Sequence, residues 1–304
     1  MEDQIEAYLG QRAAEGLSPK TQAHYRRVLT GLAASFRSRG VASWADAVPD
    51  TVDAYLEELS KRYSFGSRAS FTITARAFLR WLAESGAMPV DPARHVTVPR
   101  PEKDDLPLPE PPLSEADVAE LLNAMPKRNA VDLRDIALVE LLYSGGLRIS
   151  EALALDLRDT DFQNRVLHVR SGKGAKPREL PLLQGLFIAL RTYLALRRSL
   201  LKGPDHGALL LTNRGQRLTI GASDRMFDKL NRRRGPKAPH LHAHRLRHSI
   251  AVHMLRGGAD IRYIQAFLGH DSLESTKIYL RLVPADLRKV YDAAMPVLAG
   301  AHGE

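Results

Sequence analysis

Pro99-Arg-Pro-Glu-Lys-Asp-Asp-Leu-Pro-Leu-Pro-Glu-Pro-Pro112 holds six prolines in fourteen residues. Proline fixes φ and has no N–H to donate, so this stretch is barred from a helix interior and from a central strand. It reads as a semi-stiff linker over 99–112 and divides the chain. On its amino side the pattern is helical. Tyr25, Leu29, Leu32 and Phe36 recur at helical spacing after Ser18-Pro19, and Phe71, Ala75, Phe78 and Leu82 repeat the pattern, which predicts four or five helices over 1–98. On its carboxyl side Ser114, followed by Glu115 and Asp117, opens a helix. Leu133–Tyr143 has the apolar content of a buried helix, stopped by Gly145-Gly146. Arg165–Val169 alternates at period two, Ser171-Gly-Lys-Gly174 makes a turn, and Arg178–Leu182 returns antiparallel. Beyond Pro181 the pattern is helical. The expected fold is therefore mainly α: a helical amino-terminal domain, then an α+β domain over 113–304 with a small antiparallel sheet.

The chain has 304 residues, enough for two ordinary domains, and its composition, 44% apolar and 26% charged, is globular. No run approaches the roughly 18 uninterrupted apolar residues of a membrane span, so membrane insertion is not expected. The first ten residues carry acids and no basic region ahead of an apolar run, so secretion is not expected and a cytoplasmic location is. With no cysteine, disulfides, thiolate metal sites and sulfur nucleophiles are excluded. Any nucleophile must be oxygen or nitrogen.

Forty-four Lys and Arg against 35 Asp and Glu give a net charge of +9, which favours a polyanionic partner. The excess is uneven. Residues before Pro112 are nearly neutral, with 14 bases and 15 acids, and the remainder carries 30 bases and 20 acids. Even in the neutral half the charges separate: Lys20, Arg26, Arg27, Arg37 and Arg39 form one acid-free run, and Lys61, Arg62, Arg68, Arg76 and Arg80 a second. On helices these runs make either phosphate-tracking faces or merely solvated ones.

The densest chemical cluster is His240-Leu-His-Ala-His-Arg-Leu-Arg-His248, with His253 beyond it: five of eleven histidines within fourteen residues. His244 and His248, one turn apart, have zinc-ligand spacing, but the HExxH glutamate is missing and Arg245 and Arg247 would repel a cation. His244 and Arg247, at i and i+3, instead share a helical face suited to gripping a phosphate with an imidazole donor and a guanidinium fork. Three further pieces stand around this one: Gly145-Gly-Leu-Arg-Ile-Ser-Glu151, with Arg148 just after a glycine turn; Gly172-Lys-Gly174, with Lys173 at a hairpin tip; and Leu268-Gly-His-Asp271, followed by Tyr279.

The ordered series Arg148, Lys173, His244-x-x-Arg247, His270, Tyr279 resembles the tyrosine recombinase (integrase) family and is similar in order and spacing to the bacterial Xer recombinases, and the closing Val290-Tyr-Asp-Ala-Ala294 resembles their XerC branch. Ala243 and Ser249-Ile-Ala251 depart from the usual pattern without removing any of the six side chains. The resemblance implies a core-binding domain over 1–98, a catalytic domain over 113–304 whose tail docks on a neighbouring protomer, and a 3′-phosphotyrosyl intermediate on Tyr279. A phenol with a pKa near 10 needs a base, and His244 is the candidate. Arg148 and Arg247 would hold the nonbridging oxygens, His270 would add a hydrogen bond, and Lys173 would protonate the departing 5′-oxygen. Glu151, one turn from Arg148, would orient it or accept from a histidine.

The expected DNA contacts are Lys20, Arg26, Arg27, Arg68, Arg76 and Arg245. The expected partners are double-stranded DNA bearing a specific recombination site and other recombinase protomers, in a homotetramer or a heterotetramer with a XerD-like protein, together with an activating protein. No metal or other cofactor is expected, since there is neither a GxxxxGK[ST] phosphate loop nor an acid cluster for two Mg²⁺ ions. The expected role is resolution of chromosome or plasmid dimers at cell division. Alternatives are integration by a phage or mobile element, type IB topoisomerase-like strand relaxation, a histidine-metal hydrolase and a catalytically silent DNA-binding protein.

Overall fold

The computed structural model describes residues 1–98, 110–170 and 177–269. By its internal contacts the chain falls into two compact units, Met1–Pro107 and Leu108–Glu304.

The first unit is built on four helices, α1 (Glu2–Ala14), α2 (Pro19–Arg37), α3 (Pro49–Arg62) and α4 (Phe65–Glu84). Ser18 caps α2 by accepting from the Thr21 N–H, and Pro19 occupies the first turn, where its missing N–H costs nothing. The apolar stripes of α2 and α4 meet Tyr8 and Leu9 of α1 to form the core. Trp44, on a short 3-10 turn, sits edge-on to Phe78 at 5.0 Å and to Phe36 at 5.6 Å. Helical spacing located α2 and α4 correctly because each buries one face only.

The second unit opens with α5 (Glu115–Ala124), where Ser114 and Asp117 cap each other's backbone N–H groups. Next come α6 (Ala130–Leu142), buried on nearly every side, and the short α7 (Ile149–Ala154). Three antiparallel strands follow in spatial order β1 (Thr160–Asp161), β2 (Val166–Val169), β3 (Arg178–Pro181), with Val169 opposite Arg178 and Val166 opposite Pro181. β1 has two residues, too few to show a period. The rest is α8 (Gln184–Arg197), which packs on α6, α9 (Ile220–Arg234), α10 (Ala243–Arg256) and α11 (Ile261–Leu268).

One stretch departs from the helical pattern expected beyond Pro181. Leu209-Leu210-Leu211 is buried but not helical: Leu218 donates to the Leu210 carbonyl, and bridges join Asp156 to Ala208 and Leu211 to Arg217. A short apolar run does not distinguish a buried strand from a buried helix by periodicity alone. Among the described residues no helix is long and apolar enough to cross a membrane.

Phe78 is wholly buried and joins α4 to Tyr8 and Trp44. Phe78→Ala should therefore lower the unfolding free energy of the first unit by about 3–5 kcal/mol, measured by urea titration of tryptophan fluorescence.

Candidate active site

Glu151 is the centre of the site. It stands in the first turn of α7 and reaches back to accept the Arg148 backbone N–H at 2.8 Å, capping the helix. The same carboxylate accepts from Arg148 Nη1 at 2.9 Å and from the fork of Arg178 at 3.1 and 2.9 Å, and Arg247 Nη1 lies 3.6 Å away. Three guanidinium groups from three elements thus converge on one buried acid. Burial alone would raise its pKa, but the Arg178 and Arg148 hydrogen bonds outweigh that cost and hold the carboxyl below its ordinary range.

The same arginines bind the end of α11. Arg178 Nε donates to the Phe267 carbonyl at 2.9 Å, Arg247 Nη2 to Leu268 at 2.7 Å and Arg148 Nη2 to Gly269 at 2.8 Å. Helix C-termini leave such carbonyls without intrahelical donors and carry partial negative charge, so cations there are doubly favoured. Arg247 also donates to the Gly146 carbonyl at 2.6 Å. Both glycines are required by the geometry. Gly146 has φ +58°, and a Cβ on it would meet the Phe267 ring at 2.5 Å; Gly269 has φ +65°, and its Cβ would lie 2.6 Å from Arg178 Nη1.

The far end of α7 is held in the same way. Arg217 donates to the Leu153 and Leu155 carbonyls, and Arg170 to that of Ala154, while both arginines pair with Asp156 and Arg170 also reaches Asp159.

Of the six expected catalytic side chains, Arg148, His244 and Arg247 lie in the described parts of the chain, and Lys173, His270 and Tyr279 lie outside the described residues. Arg148 and Arg247 meet at Glu151 from separate elements. They differ in access: the Arg148 side chain is 35% exposed and that of Arg247 3%. His244, one turn before Arg247 on α10, faces solvent, with no hydrogen bond to its ring among the described residues. Partial desolvation, then the positive charge of Arg247, His242 and Arg148, depresses its pKa. It is neutral at pH 7, the form able to take a proton.

The other histidines go separate ways. His242 caps α10 and contacts Glu110 at 2.7 Å. His253 donates to the Leu113 carbonyl and faces the Tyr143 hydroxyl, 2.8 and 2.9 Å away. Among the described residues no group of three or more His, Asp or Glu side chains is placed to hold a metal ion.

The expected DNA contacts also divide. Lys20, Arg26 and Arg27 are exposed on α2, with Arg26 forked on Glu6 and Arg27 over the Phe71 ring. Arg68 and Arg76 are half-buried on α4. Arg245 is buried. Its guanidinium joins Glu110 at 2.5 Å and the carbonyls of Pro111 and His240, so the fold uses it to fasten the entering chain to α10. Sequence reasoning missed Glu110 and Arg178 as site-building residues. The available signal for Arg178 was an arginine at the first position of the run Arg178–Leu182, expected from sequence as a returning strand.

The chain matches the phage integrase family over residues 112–285 and the family's amino-terminal SAM-like domain over residues 5–86. It is 33% identical to the tyrosine recombinase XerC of Yersinia pestis over 295 residues, which covers 96% of this chain and 94% of that protein. Among solved structures, the XerA recombinase is 29% identical with a TM-score of 0.52, covering 97% of this chain and 99% of that one. The Tn1549 transposon integrase in complex with transposon right end DNA shares the fold, at TM-score 0.75 and 20% identity, over 98% of this chain and 99% of that one. A helical SAM-like domain, a small antiparallel sheet in a helical second domain, and relatives of this kind define an enzyme of DNA strand exchange. The chain belongs to the phage integrase family and is a tyrosine recombinase.

His248, buried behind this surface on α10, has its pKa pushed down to about 4 from 6.5, first by desolvation and then by His244 nearby. The folded protein therefore holds this proton less tightly than the unfolded chain. Its contribution to stability is complete above pH 6.5 and lost as pH falls toward 4, about 3 kcal/mol in all. Denaturant unfolding at stepped pH should show this decline, and His248→Gln should flatten it over that window.

Proposed function

We propose that this recombinase resolves chromosome or plasmid dimers at cell division, in the cytoplasm, by cutting and rejoining double-stranded DNA at a specific site. In the cleavage step the Tyr279 oxygen forms a bond to the scissile phosphorus and the bond to the 5′-oxygen breaks. His244 takes the phenolic proton and Lys173 supplies one to the departing 5′-oxygen. Arg148 and Arg247 balance the charge gathering on the nonbridging oxygens, and His270 donates a further hydrogen bond. The phosphotyrosine conserves the energy of the broken diester. A 5′-hydroxyl from another strand reverses the attack, so the cycle needs neither ATP nor a metal.

The observation that carries this reading is the meeting of Arg148 and Arg247 on Glu151, with the neutral His244 one helical turn away. Three cationic side chains surround one carboxylate there, leaving net positive charge for a phosphate. Arg148 offers the open edge. Arg247 adds its charge from behind, as a buried guanidinium whose fixed fork lysine does not reproduce.

The remaining assignments follow the same family logic. Residues 1–98 serve as the core-binding domain, with Lys20, Arg26, Arg27, Arg68 and Arg76 tracking DNA phosphates. Residues 99–112 link it to a catalytic domain over 113–304, whose tail docks on a neighbouring protomer. That the Tn1549 integrase of the same fold was solved on DNA supports duplex DNA as substrate. The partners are recombinase protomers in a homotetramer or a heterotetramer with a XerD-like protein, together with an activating protein.

Incubation with nicked duplexes carrying candidate sites, followed by denaturing gels, should trap protein joined covalently to DNA. Tyr279→Phe should abolish that species and leave non-covalent binding intact; a covalent product that survives the substitution excludes Tyr279 as nucleophile. A general base must be neutral to accept a proton, so the single-turnover cleavage rate should fall as pH drops through the His244 ionisation, and His244→Gln should be slower and lose that limb of the profile. A limb that persists unchanged in His244→Gln contradicts His244 as the base.

A further inference from the structure

Arg178 is the one guanidinium of the Glu151 cluster that the proposed chemistry leaves without a task. It opens β3, and its side chain is only 10% exposed, against 35% for Arg148. It has no open edge for a bound phosphate. Its Nη1 and Nη2 supply two of the four hydrogen bonds that Glu151 accepts, and its Nε holds the Phe267 carbonyl. Phe267, Leu268 and Gly269 are consecutive, and their carbonyls go to Arg178, Arg247 and Arg148 in that order. The end of α11 and the Glu151 carboxylate are thus shared supports for all three arginines. A Cβ on Gly269 would lie 2.6 Å from Arg178 Nη1, so the glycine leaves the space that the guanidinium occupies against the helix end.

We propose that Arg178 is a positioning residue for DNA cleavage, saturating Glu151 and the α11 terminus so that Arg148 keeps one edge of its guanidinium turned outward. The physical reason is competition for donors. A buried carboxylate that loses two of its four hydrogen bonds must find replacements or bear the desolvation cost. Arg148, already bonded through Nη1 and the nearest partly exposed cation, is the donor at hand. Drawn inward, it presents less of its charge to a phosphate. The loss of one positive charge from the cluster acts in the same direction.

The inference rests on Arg148 being the contact to the scissile phosphate, and the test separates the two. A methylphosphonate at the scissile position replaces one nonbridging oxygen with methyl and carries no negative charge. A side chain that acts by balancing that charge, directly or through Arg148, then matters much less. On the ordinary phosphodiester, full-length Arg178→Gln should cleave about 10–100-fold more slowly with DNA binding unchanged. On the methylphosphonate most of that loss should vanish, and Arg178→Lys, which keeps the charge and loses the fork, should fall between. Arg148→Ala serves as the reference and should show the same relief, more strongly. If Arg148→Ala is relieved but Arg178→Gln loses equally on both substrates, Arg178 merely supports the fold and the proposal is overturned. An unchanged rate on the phosphodiester overturns it too. If Arg148→Ala itself is not relieved, the assignment of Arg148 is what fails, and the proposal falls with it. Should Arg178→Gln fail to fold, the ratio of rates for Arg178→Lys on the two substrates decides by the same criteria.

Discussion

The buried carboxylate of Glu151 holds the second unit's chemistry together. Burying an acid and three guanidinium groups in one place is costly unless each charge meets an opposite partner in good geometry. Here the geometry is met through forks: one carboxylate accepts from two guanidinium groups and a backbone N–H, with a third guanidinium 3.6 Å away. The arginines' remaining donors go to backbone carbonyls at the end of α11 and at Gly146. Four distant segments, the loop before α7, the start of β3, α10 and the end of α11, are therefore tied by the same few atoms. Moving any of these segments would leave a buried charge or a guanidinium donor without its partner.

α10 serves two sides at once. One face sends Arg247 into the cluster and leaves His244 at the surface. Another, carrying Arg245, Ser249 and His253 at four-residue intervals, fastens the chain from Glu110 to Leu113. Arg245 takes Glu110 and the Pro111 carbonyl, the Ser249 hydroxyl accepts the Leu113 N–H, and His253 donates to the Leu113 carbonyl. The chain entering the second unit is thus bonded to the helix that carries two of the proposed catalytic side chains. An arginine that looks from its neighbours like a phosphate contact is instead part of this fastening.

The division of exposure among the arginines matches the different tasks proposed for them. A site that must accept a phosphate needs positive charge near the surface, and one that must stay ordered without DNA needs that charge neutralised from within. Arg148, the most exposed of the three, is the one proposed for the first demand; the second is met by the Glu151 carboxylate and the last carbonyls of α11, which hold Arg178 and Arg247 nearly closed to solvent. Partial desolvation, and after it the same crowd of cations, lowers the His244 pKa and so favours the neutral imidazole.

Much of this was legible in the sequence. Helical spacing and caps at Ser18 and Ser114 located α2, α4 and α5, and alternation located β2 and β3, because those signals arise from neighbours within one element. The ordered series Arg148, Lys173, His244-x-x-Arg247, His270, Tyr279 pointed to the family, and three of its members, Arg148, His244 and Arg247, lie among the described residues. The two-residue β1 and the non-helical Leu209–Leu211 run escaped, since a two-residue strand and a short apolar run carry no period of their own. So did the parts played by Arg178 and Arg245, which local sequence shows only as cations in a strand and in a helix. What the sequence by itself determined is the family and most of the elements, both written in short-range patterns. Only the tertiary structure decided which arginine faces outward and which is sealed in, because that depends on where Glu151, Glu110 and the last carbonyls of α11 come to rest.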